Sequence, residues 1–233
     1  MWIGKLLRGL DRCLEGLVTV SLVLVFLIGI YLVYDTLWLM RHAKDPTLKE
    51  YRPEASAVLE EERQIGPEQV AWVTIDGTGV DFPVMQSTDN IKYLQTDPYG
   101  AFSMSGSIFL DCRNAADLSD PYSILYGHHM ENGLMFGALD AFHDAGFLQE
   151  HREGRITTRQ ACYRFRIFCT VEADAASSGL FRPLARSEAL DMLRGSGSWL
   201  EEPGEGRIVA LSTCMGAEDT ARFLVVGTIE EIQ

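Results

Sequence analysis

Cys214 closes a short apolar run, Ile208-Val209-Ala210-Leu211-Ser212-Thr213-Cys214, after which the chain turns into Met-Gly-Ala-Glu-Asp. A cysteine at the end of such a strand sits on a rim, where side chains meet solvent and substrate. Eight residues on, Arg222 opens a second apolar run. If the two runs pair antiparallel through the short connection, the guanidinium falls beside the thiol, where a cation favours thiolate and can hold a developing oxyanion. A third group comes from far upstream: Tyr126-Gly127-His128-His129-Met130 ends the apolar run Ser123-Ile124-Leu125. Neighbours in an extended segment alternate faces, so only one of the two histidines can share a side with Cys214.

Each residue alone has an ordinary explanation. A lone cysteine usually behaves as a small buried hydrophobe, and an arginine on a strand flank is usually solvated or paired, here with Glu218 or Asp219. Together the three supply a nucleophile, a proton donor for a departing amine and an oxyanion partner, which is what a thiol needs to attack an amide. Metal chemistry is not expected. His128-His129 lacks the i, i+4 spacing of a helical site, His42, His143 and His151 form no pattern with it, and Cys112, Cys162 and Cys169 are not in Cys-x-x-Cys spacing. No other cofactor is expected either. A disulfide among those three cysteines stays open, although strand positions seven apart face opposite sides, which counts against Cys162 with Cys169.

The elements that must position these groups read as short strands from Val70 onward. Ala71 to Ile75, a Gly-containing turn and Val80 to Val84 form a hairpin, and further strands are read at Gly106 to Asp111, Tyr122 to Tyr126, Gly154 to Thr158, Cys162 to Glu172, Arg207 to Leu211 and Arg222 to Glu230. Seven or eight short strands with glycine-rich turns make a mainly β fold, a closed or nearly closed barrel. Helices are expected at Gly133 to Ala141 and at Ser187 to Arg194, with Ser187 placed to cap. Residues 173–199 form a long connection, and such insertions are usually functional or mobile.

The N-terminus reads differently. Gly16 to Tyr34 carries no charge and is rich in Leu, Val, Ile and Phe, about the ~20 residues that cross a bilayer. Tyr34 and Trp38 on one side and Trp2 on the other suit interfacial anchoring, and no small-residue cleavage site follows, so an anchor is read over 16–40 after a short 1–15 segment. Residues 41–69 form a charged connector in which Ala55 to Gln64, with Ser56 as cap, could be a helix or a solvated stalk. Residues 70–233 are the barrel domain. The net charge of −13 excludes nucleic acid as a partner, since phosphate binding needs clustered Lys and Arg.

Leu-Ser-Thr-Cys with Arg-Phe downstream, Tyr-Gly-His-His upstream and Gly106-Ser107-Ile108-Phe109-Leu110-Asp111 before that resemble a sortase, more narrowly class B, over roughly Val70 to Ile232. The resemblance implies a sortase-like closed β-barrel of about eight strands, N-terminal helices packed on it, and a helix in the long loop before the cysteine strand. It implies a membrane-anchored cysteine transpeptidase with Cys214 as nucleophile, His128 rather than His129 as acid, and Arg222 on substrate and oxyanion. Thr213 is expected to orient substrate or oxyanion, with Ser212 pointing away; packing within the strand is the rival reading for Thr213. Met215 stands where some relatives place an acid, so no Asp-assisted triad is expected. The implied partners are secreted proteins with a C-terminal sorting signal, cleaved at a Thr, and an amine of a peptidoglycan precursor or, in pilus-building members, a pilin lysine. Positive charges flank the apolar span on both sides. The resemblance alone orients it, with the N-terminus in the cytoplasm and the catalytic domain outside. A non-catalytic peptide-binding barrel and a hydrolytic cysteine protease are the competing readings.

Overall fold

The computed structural model describes residues 3–43, 46–54, 57–130, 133–214 and 220–232. Trp2, Ser56, Met215, Glu218 and Asp219 lie outside the described residues. The chain divides into two units, residues 1–42 and 43–233.

Helix α1 runs over Ile3–Ala43, longer than the apolar span because the basic segment before Glu15 is also helical. Within it Leu14–Leu37, 24 residues with no buried side chains, is long and apolar enough to cross a bilayer.

The second unit is built on ten strands: β1 (Gln69–Ile75), β2 (Asp81–Met85), β3 (Ile108–Leu110), β4 (Tyr122–Met130), β5 (Leu134–Met135), β6 (Glu153–Thr158), β7 (Cys162–Asp174), β8 (Gly197–Trp199), β9 (Arg207–Cys214) and β10 (Ala221–Glu231). Eight of them form a ring in the order β10-β9-β4-β3-β2-β1-β6-β7, which closes because β10 also pairs with β7; β5 and β8 are short additions to β4 and β7. Closure leaves no free edge in the ring. Most neighbours are antiparallel, but β2–β3 and β4–β9 are parallel.

Alternation sorts the side chains. Ala71, Val73, Ile75, Leu125, Ile156, Phe165, Leu211, Phe223 and Val225 fill the barrel. On the outer face of β4, β7, β9 and β10, Ile124, Val171, Ile208, Ala210, Leu224 and Val226 pack under Leu180, Leu184, Ala189, Leu190 and Leu193. That cover comes from the 173–199 connection, which carries a 3-10 turn at Gly179–Phe181 and helix α3 (Arg186–Ser196). Ala185, without a side-chain cap bond, precedes α3, and Ser187 lies inside it. The other expected helix, Gly133 to Ala141, resolves into β5 and a 3-10 segment at Phe136–His143; beyond it comes an unexpected helix α2 (Ala145–Glu150), capped by Asp144 accepting from Phe147 N at 2.7 Å.

The connector is not the helix that residues 55–64 suggested. It carries 3-10 turns at Pro46–Tyr51 and Glu61–Arg63, with residues 57–60 non-helical. Tertiary contacts override helix propensity there: Leu59 is buried at 3% exposure and its N–H donates to Thr158 O on β6 at 2.8 Å.

The parity argument about Cys162 and Cys169 fails for a structural reason. A bulge in β7 opposite Val226–Gly227 inserts Phe168 and shifts the alternation, so the two positions share a parity. They are still seven residues of strand apart, about 23 Å, and Cys112, Cys162 and Cys169 are all free thiols.

Candidate active site

The two parallel strands do the first part of the positioning. β4 and β9 run in register from Tyr122↔Ile208 to Gly127↔Thr213 and His128↔Cys214. Residues 128 and 214 are therefore partners on adjacent strands, with backbones about 4.8 Å apart, although 86 positions separate them along the chain. On the other side of β9, β10 runs antiparallel, with Leu224↔Ser212 and Val225↔Leu211. Tyr126, Ser212 and Leu224 thus form one row across three strands, and two residues further along each strand lie His128, Cys214 and Arg222. The antiparallel pairing expected from the short connection is present, and Arg222 is half-buried, its Nη1 donating to Ala221 O at 2.9 Å.

Just before this row the β9–β10 ladder changes character. Thr213, fully buried, accepts from Phe223 N at 3.1 Å and donates to Phe223 O at 3.3 Å through its hydroxyl. That hydroxyl is engaged with the main chain, so Thr213 joins the two strands just ahead of Cys214. Parity also reverses the expectation for its neighbour. Thr213 shares the barrel-interior alternation of Leu211, and Ser212, fully buried, shares the row parity of position 214.

His128 is fixed by the loop between β2 and β3. Its Nε2–H donates to Leu94 O at 2.6 Å; a carbonyl can only accept, so the ring proton in this bond belongs to Nε2. His129 turns to the opposite side, where its Nε2 meets Asp140 Oδ2 at 2.7 Å. Alternation separates the two histidines as extended geometry requires, and β5 pairs His129 with Met135. Gly127 is needed between them and Tyr126, because a Cβ there would lie 2.4 Å from Ile108 Cδ1 and 2.7 Å from the Phe136 ring.

Beneath His128, Tyr126 donates its hydroxyl to Asp111 Oδ2 at 3.1 Å. Asp111 is fully buried and also accepts from Asn90 Nδ2 at 3.1 Å, from Arg113 N and Nε at 2.9 and 2.8 Å, and from Arg113 Nη2 at 2.6 Å. Burial pushes its carboxyl up, but the Arg113 hydrogen bonds and charge, with Tyr126, outweigh this and hold it below the usual carboxylate range. Burial, then the Asp111 charge, pushes the Tyr126 phenol up, so it stays a donor. Arg113 Nη2 also donates to Phe181 O at 2.7 Å, tying the loop that covers the outer face to the floor under His128. Asp111 and Tyr126 belong to the sequence motifs without an assigned role there, and Arg113 lies outside those motifs. The signal was an acid closing an apolar strand with an arginine two residues later, a spacing that suits a carboxylate–guanidinium fork.

Among the described residues no group of three or more His, Cys, Asp or Glu could hold a metal ion. Ring and register define a closed-barrel cysteine enzyme. The sortase domain model matches residues 73–230. The Listeria monocytogenes protein "Sortase B" is 28% identical over 199 residues, 81% of this chain and 80% of that protein. Among solved structures, a Streptococcus pyogenes class B sortase involved in pilus biogenesis is 35% identical with a TM-score of 0.65, over 71% of this chain and 94% of the other. The Staphylococcus aureus sortase B–substrate complex is 28% identical with a TM-score of 0.66, over 72% and 82%. This chain belongs to the sortase family, and its relatives are of class B. Sortases are cysteine transpeptidases that act on proteins bearing a sorting signal and on cell-wall precursors.

Proposed function

We propose that this protein is a membrane-anchored transpeptidase in which Cys214 is the nucleophile, His128 the acid and Arg222 the group that holds substrate and oxyanion. One observation carries the assignment: the register that makes positions 128 and 214 partners on parallel strands, with β10 and Arg222 beside them. The Cys214 thiolate adds to the carbonyl of a threonine in a C-terminal sorting signal, and Arg222 stabilises the resulting oxyanion. The C–N bond then breaks, the departing amine takes a proton from the His128 imidazolium, and a thioester remains on Cys214. A second amine attacks the thioester, forms the new amide and returns the thiolate, its proton passing to His128. Thr213 contributes by holding the strand that carries Cys214. The span Leu14–Leu37 anchors the enzyme with its N-terminus in the cytoplasm and the barrel outside.

The amine is assigned to a cell-wall precursor. A pilin lysine is the second reading, favoured by the 35% identity to a class B sortase involved in pilus biogenesis. Mass spectrometry of the protein incubated with a library of sorting-signal peptides tests both steps. An acyl adduct on Cys214, consumed by an added oligoglycine amine, supports the scheme. Full cleavage and transfer by Cys214→Ala would rule it out, and resolution only by a lysine-bearing subunit would select the second reading.

A further inference from the structure

Apart from α1, the exposed large apolar side chains among the described residues are Val58, Ile91, Tyr99, Phe102 and Met104. Four of the five lie on one loop, residues 86–107, between β2 and β3. The loop is well built: Ser103 N donates to Gln95 O at 3.0 Å, Ser107 N to Tyr93 O at 2.9 Å, and Thr96 bridges Phe102. Gly106 has φ 57° and packs where a Cβ would strike Tyr93 O. Its distal arm carries an inverted pattern. Phe102 and Met104 are 68% and 56% exposed, while the alternate positions Ser103 and Ser105 are buried with their hydroxyls bonded to each other at 2.8 Å. A strand-like arm facing water would show the reverse. No charged residue occurs between Asp97 and Asp111, and Asp97 itself accepts from Tyr99 N and Ala101 N at 3.0 and 2.8 Å, so the arm can leave water at low desolvation cost.

The same loop is tied to the segment that follows the apolar helix. Tyr99 Oη and Thr47 Oγ1 share a hydrogen bond of 2.8 Å, and the Tyr99 ring meets Tyr51 edge-on at 6.2 Å. Thr47 comes ten residues after Leu37, where the apolar span ends: six continue α1 to Ala43, about 9 Å of helix, and the last four reach at most about 14 Å even when fully extended. Covalent connection therefore limits the Thr47 anchor of this arm to within about 23 Å of the end of the apolar span, and aromatic and aliphatic side chains are favoured at the bilayer interface within such a reach.

We propose that the arm 98–104 is a membrane-docking surface, with Phe102 and Met104 inserted at the headgroup–acyl boundary and Tyr99 at headgroup level. The proposal rests on reading Leu14–Leu37 as a span. Because Leu94 O, in the same loop, holds His128, docking fixes the catalytic imidazole relative to the lipid surface.

The test uses the full chain with Phe102→Trp, reconstituted in phosphatidylcholine/phosphatidylglycerol vesicles with and without brominated acyl chains. The native tryptophans at 2, 38, 72 and 199 supply the baseline. The added indole is expected to emit at short wavelength and to lose its emission in brominated vesicles, and Met104→Trp should behave alike. Water-like, unquenched added emission over a quenched baseline would overturn docking while leaving the span intact. Blue-shifted but unquenched emission would mean that protein covers the arm, overturning the lipid assignment. A baseline that bromine does not quench would overturn the span and docking together.

Discussion

His128 and Leu94 are joined by a 2.6 Å hydrogen bond from the imidazole Nε2–H to the main-chain carbonyl. The bond orients the ring, and it occupies the proton that the proposed mechanism needs. Delivery from Nε2 requires the departing amine to replace Leu94 O, whereas delivery from Nδ1 leaves the bond in place. His128→Gln keeps an amide donor near the Nε2 position for Leu94 O but has no titrating nitrogen. Its midpoint of unfolding should stay close to wild type, and kcat/KM with a sorting-signal peptide should fall about 10²–10⁴-fold, the usual share of general acid–base catalysis.

The paired hydrogen bonds between Thr213 and the Phe223 main chain predict a split between two substitutions. Thr213→Val fills the same space but leaves the Phe223 N–H and C=O without that hydroxyl, at a cost of about 1–3 kcal/mol. Thr213→Ser should recover most of it. Denaturant titration of both variants measures the difference.

Asp111 makes acid sensitivity predictable in sign. Its folded carboxyl lies below the usual range, so the unfolded chain takes up the proton first as pH falls. The stabilisation is fully present above the unfolded value, about 3.9, and is lost as pH drops through the lower folded value. Asp111→Asn should therefore destabilise the protein at pH 7, and its deficit against wild type should shrink at pH 3. Unfolding curves at the two pH values check this.

Cys169 is fully buried, and burial pushes its thiol up to about 12. A charged alkylating reagent at pH 8 should leave it unmodified in the native protein and modify it in denaturant, whereas the half-buried Cys112 should react in both. Peptide mapping by mass spectrometry distinguishes the two sites.

Much of this was legible in the sequence because the strands are apolar runs with clear turns, and because the short 214–222 connection predicts an antiparallel neighbour by itself. The register of β4 against β9 was not legible, since a parallel pair is made by distant segments with no local turn to set it. The placement of Ser212 on the same row as position 214 was not read from the motif, because its direction was tied to the role expected of Thr213 and not to which alternate positions are apolar. The parity of Cys169 failed because one bulge, invisible in composition, inverts everything beyond it. The connector helix failed because Leu59 had somewhere better to go.

The ring closes through its last strand, β10, which lies between β7 and β9. A ribosome delivers that strand only after every other stave has emerged, and closing such distant partners is intrinsically slow. The thiol-bearing strand therefore gains its arginine-bearing neighbour last among the strands of the ring. A chain that stops short of β10 holds Cys214 without Arg222, and in the proposed scheme acyl transfer awaits that strand.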